Sequence, residues 1–480
     1  MSRRMLHARQ LCLVAACLMV PSVMASEVTV TSKSLPAVEA FKAGRELFDN
    51  LRFVEAETQF RKAIGLDPDF ALAQAYLGAV IPGVEGERLL DRAATLSAKL
   101  PEPERLVIDS FVATRRGEEE KARAAQRRLA ELAPDDWRAQ FGWGGQLSFD
   151  RKWSEAAAAL KKATELNPKA GPAYNSLGYA ELAQGHNDEA IAAFKKYAAA
   201  NPTEPNAQDS LGEALIRAGR FDEAEAAFKQ ALKISPRFWN AWEGISKARF
   251  LRGDSAGGYE AMAQARATAS RPIDKIGTQV DVALSQFAEG KKAEALKTFA
   301  QTEKDAQAQK VDVLHAFVPV SRALILTDSG QVEEALQELK VAMDRGTQAR
   351  LPGGAMNALR RATLVGRIEG EALLARADEA QKTLALIEAE AKKAPANAQL
   401  QSNAHFARGA AALARGDAKA AVPHFARCND DDTYCQWYLL QAQKKAGDAA
   451  GAKATREKLL AANRRDGVYL IVRSQVAKEK

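Results

Sequence analysis

The chain has 480 residues, of which 47% are hydrophobic and 27% charged, with a formal charge of +7. This composition supplies a packed core and excludes bulk disorder. Beyond the first 25 residues no apolar run reaches the ~20 residues that a membrane helix needs.

Residues 1–25 read MSRRMLHARQLCLVAACLMVPSVMA. Arg3, Arg4 and Arg9 form a basic start, Leu11 to Val20 a short apolar run, and Val23 and Ala25 place small residues before Ser26. That order is a secretory signal peptide cleaved between Ala25 and Ser26, and the apolar run is too short for an anchor. Two variants of export stay open. Val14-Ala15-Ala16-Cys17 resembles a lipoprotein box, which implies an outer-membrane lipoprotein; Ser2-Arg3-Arg4-Met5-Leu6 partly resembles a twin-arginine signal, from which His7 departs. Cleavage removes three arginines and lowers the charge from +7 to +4 over 455 residues. So small a charge leaves no footprint for nucleic acid. The expected compartment is the periplasm, with residues 26–36 as an N-terminal linker.

From residue 37 a repeat sets in. Prolines 134, 168, 202 and 236 are 34 apart, as are Gly144, Gly178 and Gly212, and Ala156, Ala190 and Ala224. Within each unit two apolar patterns of helical period flank a break, so each unit is a helix pair. Units starting at 37, 137, 171 and 205 are regular. The unit from 71 carries Pro82-Gly83 where its first helix should continue, and is expected to be distorted. The unit from 103 keeps Ser110, Gly117, Ala122 and Pro134. Past 239 the prolines fade, but Gly253, Gly290, Gly330, Gly416 and Gly447 still close first helices, and Ala380 marks a degenerate unit. Asp222 and Glu225 are spaced as the N-cap and N3 of a capping box.

These marks (a large residue at position 4, Leu-Gly at 7 and 8, Ala at 20, Phe at 24, Pro at 32) resemble the tetratricopeptide repeat. Physics explains them. Small residues at 8 and 20 let two helix backbones approach, Phe fills the space between helices, and Pro stops the second helix. The resemblance implies an all-α, right-handed superhelical solenoid of about twelve helix–turn–helix units. Residues 37–270 form a well-formed array, 271–466 a degenerate one, and 467–480 a capping helix or tail. It also implies a groove lined by the first helices, carried here by Asn175, Tyr179, Asn206, Asp209, Glu213, Arg217, Asn240, Glu243 and Lys247. Their mixed signs do not suit one uniformly charged ligand.

No phosphate loop, paired-histidine metal motif or nucleophile elbow is present, so neither catalytic residues nor a cofactor are expected. Two cysteines remain after cleavage, Cys428 and Cys435, around the loop Asn429-Asp430-Asp431-Asp432. In an oxidising compartment a disulfide is expected; two free thiols, or a metal site or enzyme centre with His405 and His424, are the alternatives. The leading expectation is a non-catalytic exported scaffold or adaptor, in envelope assembly or polysaccharide export, whose partners are proteins or extended peptides.

Overall fold

The computed structural model describes residues 27–395, 397–429 and 432–478. The leader, the cleavage site at Ala25 and Ser26, and Asp430 and Asp431 lie outside them. The described residues contain twenty-five α-helices and no strand, an all-α helical-repeat solenoid. Two compact units divide the chain: one takes the described residues up to Arg45 with Phe53–Gln140, the other Glu46–Arg52 with the residues from Phe141 on.

The first unit is built on α1 (Leu35–Asp49), α2 (Phe53–Leu66), α3 (Ala71–Val80), α4 (Gly83–Ser97), α5 (Glu102–Arg116), α6 (Glu119–Leu132) and the start of α7 (Trp137–Phe149). Its core is aromatic: Phe41 lies 5.0 Å from Phe70 and 5.3 Å from Tyr76 between ring centroids. Pro82-Gly83 cuts α3 to ten residues. The guanidinium of Arg115 donates to the carbonyls of Gly78 and Ile81, satisfying acceptors that the shortened helix leaves open. The stretch read as a linker is tied down. Val28 N–H donates to Asp136 at 2.7 Å, and the hydroxyls of Thr29 and Thr31 donate to the fully buried Glu104 at 3.0 and 2.5 Å.

The second unit continues α7 and holds α8 (Trp153–Leu166), α9 (Gly171–Gln184), α10 (Asn187–Ala200), α11 (Pro205–Arg217), α12 (Phe221–Ile234), α13 (Trp239–Arg252) and α14 (Ser255–Thr268). There follow α15 (Pro272–Ala288), α16 (Lys292–Ala308), α17 (Asp312–Asp328), α18 (Val332–Gln348), α19 (Gly353–Leu373) and α20 (Ala377–Lys393). The last are α21 (Ala398–Ala414), α22 (Ala418–Phe425), α23 (Thr433–Ala446), α24 (Ala449–Ala461) and α25 (Gly467–Lys478).

Close approach sets each pair. A Cβ added at Gly178 would meet the Phe194 ring at 2.6 Å, and one at Gly409 would meet Phe425 at 2.7 Å. The closing position of the first helix is left-handed even without glycine: Leu51, Arg151 and Ala375 have φ of 60°, 57° and 54°. Such a conformation costs a non-glycine residue about 1–2 kcal/mol, so repeat packing overrides local preference there. The expected capping box does not form. The N-cap of α12 is Arg220, which makes no side-chain cap bond. Asp222 pairs instead with Arg252, and Glu225 with Arg249 at 2.8 Å, both in the next unit. Hydrogen bonding to Arg249 holds the Glu225 carboxyl down to about 2 despite partial burial.

Candidate functional site

The first helices of the second unit bring most of the expected groove residues onto one connected inner surface. Ser210 Oγ, on α11, donates to Asn175 Oδ1 of α9 at 3.1 Å and sits 3.2 Å from the Tyr179 hydroxyl. Tyr179 also donates to Glu213 Oε2 at 3.2 Å, and burial with the Glu213 charge pushes its phenol well above the usual range. Asn206 has its backbone N–H capped by Glu204, and Arg217 donates to the Leu182 carbonyl at 3.4 Å. Lys247 is fully buried and pairs with Asp281 of α15 at 3.0 Å.

The same surface is occupied by the chain itself. Arg465, in the connector before α25, donates to Asp209 Oδ2 at 3.0 Å and to the Asn240 carbonyl at 2.5 Å. Its guanidinium lies 5.2 Å from the centroid of the Phe228 ring. Burial works against its charge, but Asp209 and Glu243 outweigh burial and push its pKa further up. In turn, burial raises the Glu243 carboxyl, an effect that Arg465 opposes. Farther along, Arg473 donates to the Leu251 carbonyl at 3.0 Å, Ser474 to the Ala288 carbonyl at 2.7 Å, and Gln475 to Asp328 at 2.8 Å. Thus α25 packs on α15 as well as on α23 and α24; it reaches well past the array's last pair. Tyr469, Ile471, Val472 and Val476 of α25 are buried, while Arg473, Ser474 and Gln475 between them make its polar contacts. Ser210, Asp281 and Arg465 were not among the expected groove residues. The run Gly467-Val468-Tyr469-Leu470-Ile471-Val472 was the available signal for burial.

Two family models, both described as tetratricopeptide repeat, match residues 149–205 and 205–238. Residues 149–238 are tetratricopeptide repeats. Among solved structures it is similar to a tetratricopeptide repeat protein from Parabacteroides merdae, at 17% identity and a TM-score of 0.41, covering 55% of this chain and 99% of that one. It is also similar to MamA from Desulfovibrio magneticus, at 18% and 0.33, covering 36% and 97%. A third is YrrB, a tetratricopeptide repeat protein with an unusual peptide-binding site, at 16% and 0.31, covering 46% and 97%. No curated protein matches the chain.

Two further clusters lie late in the helical array. The sulfurs of Cys428 and Cys435 are bonded, with Cα atoms 6.4 Å apart, against Phe406, Phe425 and Tyr438. Asp432 accepts from the Cys435 N–H at 2.9 Å and so caps α23. The His405 and His424 rings are 6.2 Å apart; burial, then the Arg408 charge, lowers the pKa of each. Among the described residues no three His, Cys, Asp or Glu side chains are grouped to hold a metal. Intact mass of protein purified without reductant is expected to rise by two hydrogens on reduction, with no alkylation beforehand. The loop is short, so losing the bridge should cost near the lower end of about 2–4 kcal/mol. Two alkylated thiols before reduction would overturn the pairing.

The other cluster is acidic. Glu369 of α19 is buried and accepts from Tyr434 and, at 2.5 Å, Tyr438 of α23. Burial pushes its carboxyl up to about 7, and pushes Asp328 up to about 6 against the hydrogen bond from Gln475.

Proposed function

We propose that this protein is a non-catalytic, exported tetratricopeptide scaffold or adaptor that binds protein or extended peptide partners through the inner face of its second unit. Its expected place is the periplasm, in envelope assembly or polysaccharide export. The observation that carries this reading is the inner face itself. Neighbouring first helices present hydrogen-bonding and charged groups, from Asn175 and Tyr179 to Glu213, in a continuous row. Stacked repeats offer such rows to extended partners. Tyr179 remains 38% exposed beside Glu213, so part of the row is open to a partner. The signal-peptide pattern supports export.

One experiment addresses both halves of the reading. A photo-crosslinking residue is placed at position 179 in the full chain, expressed in its native cell, with exposed Lys233 of α12 as the control position. N-terminal sequencing of the recovered protein is expected to begin at Ser26. Mass spectrometry is expected to find discrete protein adducts from position 179 and none shared with position 233. An N-terminus at Met1, or a lipid on Cys17, would sink the proposed route of export. Identical adducts from both positions would sink the groove.

A further inference from the structure

The geometry points to residues 463–478 as an internal ligand, held where a partner segment of the same chemistry docks: a helix with an arginine four residues ahead of an aromatic–aliphatic run. This rests on the groove reading above and adds to it what the groove recognises and what blocks it.

Charge supports this assignment. The surface around Arg465 carries Asp209, Glu213, Glu243 and Asp281, with Lys247 as the buried cation spent on Asp281. One arginine enters this acidic field and makes both its polar contacts there, one to a side chain and one to a main-chain carbonyl. Such a field selects a cationic partner and disfavours an acidic one.

Apolar complementarity follows in register. Four residues after Arg465, Tyr469 is fully enclosed and joins the core that holds Phe228 and Ile245. Ile471 joins the cluster of Leu284, Phe299 and Ile325. Gly467 fits where a Cβ would stand 2.8 Å from Leu284. The contacts run across α11, α13, α15 and α17 in order, as a helix laid along a groove makes them.

The match leaves two polar atoms of the contact unpaired. Asp209 Oδ1 and Gln475 Oε1 are buried with no hydrogen-bond partner, although each lies on a residue whose other polar atom bridges the segment to the groove. Buried polar atoms in a settled core are nearly always paired. Meanwhile α11 with α12, α13 with α14 and α15 with α16 each pack as pairs without α25. Release of the segment therefore breaks no repeat.

The test uses the full chain and a fluorescent synthetic peptide of residues 463–478. In Arg465→Glu, the new carboxylate faces Asp209 and Glu243 and should expel the segment. By fluorescence anisotropy this variant is expected to bind the peptide at least tenfold more tightly than the unaltered chain. A peptide carrying the same Arg465→Glu change should not bind. Native-state hydrogen exchange on the unaltered chain covers the case in which the variant does not fold. Amides of 467–478 are expected to exchange through an opening that leaves α11–α17 protected. A folded variant that ignores the peptide, or segment amides that exchange only with global unfolding, would make residues 463–478 a fixed part of the core and end the proposal. A dimer of Arg465→Glu, seen by light scattering, that excludes the peptide would make the occupant a second copy and also overturn it. None of these failures would touch the crosslinks expected from position 179, so the groove reading stands or falls separately.

Discussion

Gly212→Leu is expected to destabilise the second unit sharply, with the damage centred on α11–α13. A Cβ at 212 would stand 2.6 Å from the Phe228 ring, well inside contact distance. The ring cannot retreat. On its other side a Cβ at Gly244, in the next repeat, would stand 2.4 Å away, and Phe228 is fully buried. One aromatic ring is thus clamped between two glycines of successive first helices, with the Arg465 guanidinium also against it. Overpacking of this kind costs about 1–3 kcal/mol or more. Because a repeat contacts mainly its neighbours, loss of hydrogen-exchange protection should concentrate between residues 171 and 270. Gly145 supplies the contrast. It lies in α7 with nothing within 4 Å of an added Cβ, so Gly145→Ala should stabilise by up to about 1 kcal/mol through helix propensity. If Gly212→Leu leaves the protection of α11–α13 unchanged, the assigned repeat register is wrong.

The clearest part of the repeat was legible because its marks are steric necessities. Gly212 and Phe228 recur at fixed offsets since the ring lies on the glycine, and the matched family region, 149–238, covers the same regular stretch. Farther on, helices such as α15–α18 lengthen to 17 residues, and the spacing of 34 is lost while the pairing persists. Ala375 closes its helix in a left-handed conformation that no sequence rule assigns to alanine, because the packed pair α19–α20 imposes it. Asp222 and Glu225 misled for a related reason: the local cap was a plausible partner, but arginines of the next unit offered a stronger one. The site was half legible. The resemblance to the tetratricopeptide repeat implied a shared surface for Tyr179, Asp209 and Glu243. That Arg465 covers it depends on a contact 256 residues away, and such a contact leaves no periodic trace.

The buried carboxylates give the remaining expectation, an inverted pH dependence. Glu369→Gln should raise stability far more at pH 8 than at pH 5. Burial pushes the Glu369 carboxyl up to about 7, whereas in the unfolded chain it titrates at about 4.3. Between those values the folded state keeps a proton that the unfolded state has lost, so folding binds protons and stability falls as pH rises through the window. Across it the change is roughly 3 kcal/mol, at about 1.4 kcal/mol per unit. Asp328, pushed up to about 6, acts in the same direction at somewhat lower pH. Glu225, held down to about 2, acts oppositely: its contribution is present above pH 4.5 and lost on acidification. The three place the stability maximum at about pH 4, where the Glu225 gain is nearly complete and the losses from Asp328 and Glu369 set in. Glutamine keeps an acceptor for the Tyr434 and Tyr438 hydroxyls but carries no charge to bury, so the variant loses the Glu369 share of the decline. Urea unfolding at pH 5 and pH 8 measures it. The unaltered chain should have the lower midpoint at pH 8, and the gap should narrow in Glu369→Gln. A midpoint that rises from pH 5 to pH 8, or a variant with an unaltered gap, would show that Glu369 stays ionised in the fold and that the tyrosine hydroxyls, rather than a retained proton, compensate its burial.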